Sequence, residues 1–522
     1  MLGQYSLADV MVFVAYGLVL LGSGWLFNRK SQSTQEYFLG GNKMSMWVVA
    51  ISVLATSQSA ATFLGGPDQG YRGDLTYLAT NIGAFIAVGF VAIFLIPKFY
   101  EQRVYTVYEL LEQRFGERAK REAGMMYLFG RVFASGARLY MAAIAVAMIL
   151  FGNIDAESVI TATLLLTFIG LIYTVYGGIR TVIYSDVLQA VVYVSAAIAV
   201  IIVLYNAIPV SFGELIQALQ QPAPGESSKL TLIDTNVDFS SSGVFNIWSV
   251  LTGFVLLNIA AFGLDQDMTQ RVLTCKDAKE GSKAILMSVV MVIPVMLLFI
   301  IIGLLLFIYY QRPDIMASGQ TDGPVPTFAG EAVTIFMYYV LTEIPAGVRG
   351  LVTIGIIAAA LSTLNSGLNS MSSVVIQDIY RPWQQRKGKQ HNDAHYVKAG
   401  RIGMTVVAAA LGLMACLCYY WQQYTDTPLL QFALSVMVFS YSGLLGVYFV
   451  TLFSKRGSRR SVTTALVVGF LVPLLMQPYT QQLLLPAEWV TDIGFTWQLM
   501  IGTAISTLIC LAGSQTNEAP SK

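Results

Sequence analysis

Long apolar runs recur along the whole chain, separated by short polar segments that carry most of the charged residues. About 20 apolar residues suffice to cross a bilayer as a helix, and the pattern predicts thirteen such spans. No polar block between them is long enough for a second domain, so we predict a single transmembrane domain over residues 1–522. The predicted spans are 7–27, 45–66, 76–97, 123–151, 157–176, 182–206, 246–264, 284–310, 346–373, 401–421, 428–453, 461–477 and 494–513.

Composition agrees with this pattern and excludes several classes of function. Hydrophobic residues make up 55% of the chain and charged residues 12%, whereas a soluble domain is about one quarter charged. The net charge of +1 gives no reason to expect a nucleic-acid partner. The two histidines, His391 and His395, fall in a polar segment after the ninth span. We therefore predict an all-α membrane protein without histidine chemistry inside the bilayer.

The distribution of basic residues predicts the orientation. The first span follows an acidic, lysine-free stretch and precedes Asn28-Arg29-Lys30, the reverse of the charge order in a cleavable signal peptide. With the N-terminus outside, all but six of the 31 lysines and arginines fall in cytoplasmic loops or in the C-terminal tail. Because basic residues concentrate on the cytoplasmic side, we predict a multi-pass protein of the plasma (inner) membrane with a cytoplasmic C-terminus.

Two spans carry polar residues and glycines in their interior. Span two contains a polar cluster at 52–63, followed by Gly65-Gly66-Pro67, which we expect to end the helix outside; span seven contains a second cluster at 258–266. Transporters built from inverted repeats place their site where a helix of each half is interrupted. The two spans lie five spans apart, which predicts five-helix inverted repeats over 45–206 and 246–453. The peripheral helices would be 7–27, 461–477 and 494–513.

Three ionisable side chains fall inside predicted spans. Arg131 and Arg138 lie in span four, and Asp186 lies four residues, or about 6 Å, from the cytoplasmic start of span six. Such residues are costly in a bilayer and indicate function by default. An ion pair between Asp186 and an arginine near the cytoplasmic interface is the structural alternative.

Span nine carries a polar face at a depth that Asp186 can reach. Ser362, Asn365 and Ser366 are spaced i, i+3 and i+4 and so share one side of the helix. A carboxylate with several hydroxyl and amide oxygens suits a hard cation, and a single carboxylate suits a monovalent one. Close packing and hydrogen bonding to the helix's own carbonyls is the alternative for any one of these hydroxyls.

Several stretches, taken in order, resemble the sodium:solute symporters, the family of the sodium/glucose, proline, iodide, vitamin and bacterial sialic acid transporters. The resemblance covers nearly the whole chain and implies the leucine-transporter-like fold of five plus five helices, in agreement with the predicted repeat. The matching stretches are Glu36-Tyr-Phe-Leu-Gly-Gly41, the cluster at 52–63, Tyr108-Glu-Leu-Leu-Glu-Gln-Arg-Phe115, Tyr176-Gly-Gly followed by Asp186, Asp265-Gln266 with Gln270-Arg271, and the Ser/Asn-rich span nine ending in Asp378-Ile-Tyr380.

The resemblance implies a sodium site between spans two and nine, made by backbone carbonyls and hydroxyls. Carried over by position, its ligands are Ala55, Gln58, Ala359, Ser362 and Thr363. Some members, including the sialic acid transporters, hold a second sodium with the span-six aspartate and span-nine hydroxyls. Those positions are Asp186, Ser362, Asn365 and Ser366, and Asn365 stands where these members have a hydroxyl residue.

The resemblance also implies a solute pocket lined by spans two, three, four and seven. Sialic acid transporters clamp the solute carboxylate with a span-four arginine, for which Arg138 is the first candidate; a structural pair with a membrane carboxylate is its alternative. The sodium/galactose type has a carboxylate on span three where this chain has Asn81, so a close sugar-transporter match is not expected. The other polar candidates, whose hydroxyls and amides suit a hydroxylated solute, are Ser57, Ser59, Thr62, Asn81 and Asn258.

Taken together, the sequence predicts a sodium-coupled symporter that imports a small polar solute with one or two sodium ions. A sugar acid such as sialic acid, a sugar or another hydroxylated compound is the expected solute; a monocarboxylate, amino acid or vitamin is the alternative. A proton-coupled carrier that uses Asp186 is the rival within transport. We expect no enzymatic activity, because no intramembrane histidine or nucleophile–base pair is present, and no signalling domain, because the chain ends soon after span thirteen. We expect a monomer.

Overall fold

The structure is a computed structural model that describes residues 6–27, 33–222, 227–316, 327–328, 331–332, 334–422 and 434–514. Helices form nearly all of it, with one antiparallel pair of two-residue strands, β1 (Thr327–Phe328) and β2 (Glu331–Ala332). The first ten helices are α1 (Leu7–Phe27), α2 (Thr34–Leu39), α3 (Met46–Ser57), α4 (Ala60–Arg72), α5 (Thr76–Gln102), α6 (Glu109–Phe115), α7 (Glu117–Phe151), α8 (Ala156–Val175), α9 (Gly177–Ala207) and α10 (Phe212–Gln220). The others are α11 (Ile247–Leu264), α12 (Gln266–Val272), α13 (Ala278–Gln311), α14 (Ile335–Thr342), α15 (Val348–Arg386), α16 (Asp393–Gln422), α17 (Val438–Phe453), α18 (Arg459–Leu475), α19 (Pro478–Leu484) and α20 (Phe495–Ala512).

The helices have the length and apolarity that a membrane protein needs. In the described part of the chain, nine helices are long and apolar enough to cross a bilayer. Two further pairs pass the same test together although they are bent, α3 with α4 by 63° and α18 with α19 by 86°. Two shorter apolar helices lie at Leu7–Ser23 and Val438–Phe453. The predicted all-α membrane class is confirmed, and residues 428–433 of the eleventh predicted span lie outside the described residues.

The predicted end of span two at Gly65-Gly66-Pro67 is wrong. The helix is interrupted earlier, at Gln58 and Ser59, and α4 then continues through Pro67 to Arg72. The glycines of α4 do not end the helix but allow it to pack closely against a neighbouring helix. A Cβ added at Gly70 would lie 2.3 Å from the carbonyl oxygen of Ile300 on α13, so α4 and α13 pack backbone to backbone, as small residues permit in membrane bundles.

Spans five and six meet without the intervening loop that was predicted. The chain turns at Gly178, whose φ of 60° and ψ of −169° suit only glycine, and a Cβ there would lie 2.7 Å from the Tyr37 carbonyl oxygen. Because α9 begins at Gly177, Asp186 lies nine residues from its start, about 14 Å along the axis. The Asp186 carboxylate is fully buried among the helices, and its depth of about 6 Å from the cytoplasmic surface stays a prediction.

The packing of α4 on α13 gives a direct test of this architecture. A Cβ at Gly303 would lie 2.0 Å from the Pro67 carbonyl oxygen and 2.7 Å from the Tyr71 nitrogen, both backbone atoms that cannot move alone. We expect Gly303→Ala to lower the free energy of unfolding by about 1–3 kcal/mol, the usual cost of overpacking. Thermal unfolding of the purified protein in detergent measures this. Gly89→Ala is the matched control, because a Cβ at Gly89 meets nothing within 4 Å; equal midpoints for the two variants would contradict the packing.

Candidate functional site

The interruption between α3 and α4 opens the backbone inside the bundle. Gln58 leaves the helical region with φ of −92° and ψ of 88°, and the Ser59 hydroxyl caps α4 by accepting from the Ala61 amide at 3.2 Å. The last carbonyls of a helix have no partner within that helix, so the end of α3, where Ala55 lies, presents backbone oxygens at a buried position. Non-helical backbone at membrane depth occurs where it is enclosed by protein or lines a cavity.

Helix α15 packs against α3 and α4 at this break. The five residues predicted for the first sodium site are all buried and lie on these adjacent segments. The Thr363 hydroxyl donates to the Ala359 carbonyl oxygen at 3.2 Å, the self-bonding that was the alternative for such a residue. A hydroxyl that donates one hydrogen bond still has lone pairs for a cation.

Asp186 is the point at which four helices meet. Its carboxylate accepts hydrogen bonds from Ser52 Oγ on α3 at 2.5 Å, from Ser362 Oγ on α15 at 2.7 Å and from Arg271 Nη2 on α12 at 3.1 Å. The predicted contact between Asp186 and Ser362 is therefore present. The ion pair with an arginine, which was the structural alternative, is also present, and both side chains are fully buried.

Arg271 belongs to a chain of five alternating charges. Arg131 on α7 donates from Nη1 to Asp265 at 2.8 Å and from Nη2 to Asp267. Arg271 donates to Asp267 at 2.9 Å and to Asp186 at 3.1 Å. None of the five side chains is more than 2% exposed, and those of Asp267, Arg271 and Asp186 are fully buried. Three carboxylates against two guanidinium groups leave this chain, which we name the five-charge chain, with a formal charge of −1.

The residues predicted for the second sodium site are only partly brought together. Ser362 contacts Asp186, but the Ser366 hydroxyl donates to Asp267 at 3.1 Å and to the Thr363 carbonyl oxygen at 3.0 Å. Asn365 Oδ1 is buried without a hydrogen-bond partner in the structure. It faces α8, where it would lie 3.0 Å from a Cβ at Gly170. The hydroxyls of Ser362 and Ser366 therefore serve two different carboxylates of the five-charge chain.

A cavity of about 130 Å³ lies beside the helix break. All six residues predicted to bind solute line it, with Tyr77, Phe254 and Met296 among the apolar and aromatic neighbours. A small pocket with apolar walls and a few convergent polar groups is the usual form of a ligand site. The six predicted residues are Ser57, Ser59, Thr62, Asn81, Arg138 and Asn258.

Arg131 and Arg138 have different surroundings although they lie two turns apart on α7. Arg131 forms ion pairs with two carboxylates of the five-charge chain, and only its Nε lacks a hydrogen-bond partner among the described residues. Arg138 lines the cavity, donates from Nη2 to the Met437 sulfur at 3.0 Å, and its buried Nη1 has no hydrogen-bond partner among the described residues. Among the described residues this buried cation has no anionic partner, a costly state that a bound anion would relieve.

The two amides of the cavity are held by their own helices. Asn81 Nδ2 donates to the Leu78 carbonyl oxygen at 2.9 Å, and Asn258 Nδ2 donates to that of Phe254 at 2.8 Å. These bonds occupy amide donors and leave the amide oxygens as acceptors for the hydroxyls of a bound molecule. The cavity thus combines one cationic donor with several neutral hydrogen-bonding groups.

Broken helices, a five-charge chain at their centre and a polar cavity inside an all-helical membrane bundle define a secondary transporter. The chain belongs to the sodium:solute symporter family, whose model matches residues 37–469. The family resemblance seen in the sequence is confirmed, and the chain is a sodium-coupled transporter of a multi-pass membrane family rather than an enzyme.

Relatives extend along nearly the whole chain. The sodium/sialic acid symporter of Proteus mirabilis is 26% identical over 99% of this chain and 96% of its own. The sodium/glucose cotransporter of Vibrio parahaemolyticus is 25% identical over 97% of this chain and 91% of its own. The solved structure of a substrate-bound, outward-open, sodium-coupled sialic acid symporter matches with a TM-score of 0.79 at 23% identity, covering 97% of both chains. The last similarity supports the fold.

The sequence pattern did not reveal Arg271, Asp265 and Asp267 as part of the site. They follow the predicted end of span seven, where a charged segment indicates a loop. In the structure α12 is wholly buried against α3 and α15. The i, i+4 spacing of Asp267 and Arg271 was the local signal, since such pairs form on one helix face.

The contrast between the two arginines yields a stability test. We expect Arg131→Gln to lower the free energy of unfolding by about 3–5 kcal/mol, because it leaves buried carboxylates without their counter-charge. Arg138→Gln should cost little, because no carboxylate depends on it in the described residues. Thermal unfolding without solute compares the two variants. Similar losses in both would contradict the assignment of Arg131 to structure and Arg138 to the cavity.

Proposed function

We propose that this protein imports a small hydroxylated carboxylate, a sugar acid such as sialic acid, together with sodium. The observation that carries the proposal is Arg138, whose buried Nη1 has no hydrogen-bond partner among the described residues and which lines a cavity together with hydroxyls and amides. A guanidinium group binds a carboxylate with charge-assisted hydrogen bonds, and Asn81 and Asn258 suit solute hydroxyls. The sialic acid symporter of Proteus mirabilis supports the same solute class.

We propose that the first sodium ion binds between α3 and α15, with the carbonyls of Ala55, Gln58 and Ala359 and the hydroxyls of Ser362 and Thr363 as ligands. These oxygens come from the end of one helix and the buried face of another. Sodium there would hold the break in the shape that presents Ser57, Ser59 and Thr62 to the solute. Sodium would then raise the affinity for the solute, and the solute would raise the affinity for sodium, which is how the two are coupled.

The second sodium site is proposed around Asp186, with Ser362, Asn365 and Ser366 as further ligands. Asn365 Oδ1 supports it as a buried oxygen without a hydrogen-bond partner in the structure. Binding there would require Ser366 to exchange its bond to Asp267 for the ion. If Ser366 makes this exchange, two sodium ions bind per cycle; if it keeps its bond to Asp267, one does.

We further propose thirteen spans, two inverted five-helix repeats, an external N-terminus, a cytoplasmic C-terminus in the plasma membrane, and a monomer. The interrupted helices support the repeat. Span two breaks at Gln58, and span seven contains a π-helical turn at Ala260–Leu264 before it ends at Asp265. Each half therefore contains one helix with an irregular segment, which supports the proposed repeat.

A proton-coupled carrier that uses Asp186 is the rival. Arg271 and two hydroxyls already engage this carboxylate, and the family is sodium-coupled, so we favour sodium. Replacing external sodium by choline at fixed pH separates the two, because a proton-driven carrier would keep its uptake.

Removing either predicted sodium hydroxyl should weaken transport. We expect Ser362→Ala and Thr363→Ala each to raise the sodium concentration for half-maximal uptake into liposomes by about tenfold, the effect of losing roughly 1.4 kcal/mol of ion binding. Thr353→Ala is the matched control, because its hydroxyl also bonds to its own helix, at the Arg349 carbonyl oxygen, but lies nearly three turns away. Unchanged sodium dependence in both site variants would show that the site is misplaced.

Arg138 should recognise the negative charge of the solute. We expect Arg138→Gln to weaken binding of sialic acid at least about tenfold, since a hydrogen bond to a charged group contributes roughly 1.5–3 kcal/mol. Its methyl ester, which keeps the hydroxyls and lacks the charge, should bind the wild type and the variant with similar affinity. Calorimetric titration in saturating sodium measures all four affinities. If the substitution weakened the binding of acid and ester equally, Arg138 would shape the cavity without recognising the charge of the solute.

A further inference from the structure

A second cavity, unrelated to the solute site, lies on the outer surface between α7 and α18. It has a volume of about 450 Å³ and nearly apolar walls. Four of the large apolar side chains that line it are 42–58% exposed: Met125, Phe129, Val467 and Leu471. In a multi-pass membrane protein this surface faces the bilayer. We name it the α7/α18 groove.

One end of the groove is polar. Glu122 on α7 accepts from the Thr463 hydroxyl on α18 at 2.5 Å and so joins the two helices there. Farther along, the Phe129 and Phe470 rings pack with centroids 5.6 Å apart. The polar end lies near the first turns of both helices, which begin at Glu117 and Arg459.

Arginines continue both walls of the groove beyond this polar end. Arg118 is one helical turn before Glu122, and Arg460 is one turn before Thr463, so each lies on the row of its helix that lines the groove. The Arg118 side chain is 65% exposed, and Arg460 is also exposed. Arg459 lies beside the start of α7, where its Nε would be 3.5 Å from a Cβ at Gly116. Arg118 Nε donates to Glu122 at 2.7 Å, so three arginines and one glutamate lie at this end of the groove.

We propose that the α7/α18 groove binds an anionic phospholipid, with one acyl chain along the apolar walls and the phosphate among Arg118, Arg459 and Arg460. A long apolar trough in contact with the bilayer and a cationic end at the helix starts match the two parts of such a lipid. Basic residues at a membrane surface attract anionic headgroups. A zwitterionic lipid would fill the trough equally well but would gain less from the arginines.

Titration of purified, delipidated protein tests the proposal, with dioleoylphosphatidylglycerol compared with dioleoylphosphatidylcholine. Native mass spectrometry counts the bound lipids, and the thermal midpoint reports their stabilisation. We expect wild type to prefer phosphatidylglycerol. Arg460→Gln should reduce that preference about fivefold, the effect of one basic residue at an anionic surface, without affecting phosphatidylcholine. Lys389→Gln, in an exposed loop, should leave it unchanged.

Val467→Trp should fill the groove and remove one bound lipid of either kind. Leu413→Trp is the matched control, because Leu413 is 64% exposed on α16 away from the groove. Lipid binding by Val467→Trp equal to that of wild type would overturn the proposal. A wild-type dimer that Val467→Trp converts to a monomer would also overturn it, because a second copy of the chain would then be the occupant. Neither result bears on solute transport, which is a separate readout.

Discussion

The ionic chain from Asp265 through Arg131, Asp267 and Arg271 to Asp186 is the constraint around which the bundle is organised. Each charge is buried, and each is tolerable only because its neighbours have the opposite sign. The chain joins α7, α12 and α9, and the Ser52 and Ser362 hydroxyls connect it to α3 and α15. Moving α7, α9 or α12 alone would separate a buried ion pair, and moving α3 or α15 alone would break a hydrogen bond to Asp186.

This constraint explains why the irregular parts of the structure lie where they do. The break at Gln58 and the π-helical turn at Ala260–Leu264 are close in sequence to the segments that the ionic chain holds. In the proposed mechanism, the backbone oxygens freed at the break bind a small cation, and the cavity lined by Ser57, Ser59 and Thr62 binds the solute. In the proposed cycle, sodium and solute act on the same break from two sides.

Sequence patterns predicted the features that depend on local composition. Apolar runs predicted the spans, and the polar cluster at 52–63 predicted an interruption in span two. The meeting of Asp186 with Ser362 was also predicted, whereas the tight turn at Gly178 between α8 and α9 was not. All six predicted cavity residues line one cavity, since the family resemblance carried their long-range positions into the prediction.

What could not be predicted depends on contacts between distant segments. A charged stretch such as 265–271 indicates a solvated loop unless residues 80 or more positions away neutralise it, as Arg131 and Asp186 do. The position of the break within 52–63 could not be predicted for the same reason, because it also depends on contacts with a distant segment. Glycines and a proline near Pro67 suggested the end of a helix, but the contact of Gly70 with α13 lets the helix continue.

The central claim is that sodium and a carboxylate solute bind cooperatively at adjacent parts of one broken helix. Calorimetric titration of the purified protein with sialic acid, in sodium and in choline at the same ionic strength, tests it most directly. The account predicts that sodium raises the affinity for sialic acid and that sialic acid raises the affinity for sodium by the same factor, because linkage is reciprocal. Equal affinity for sialic acid in sodium and in choline would contradict it.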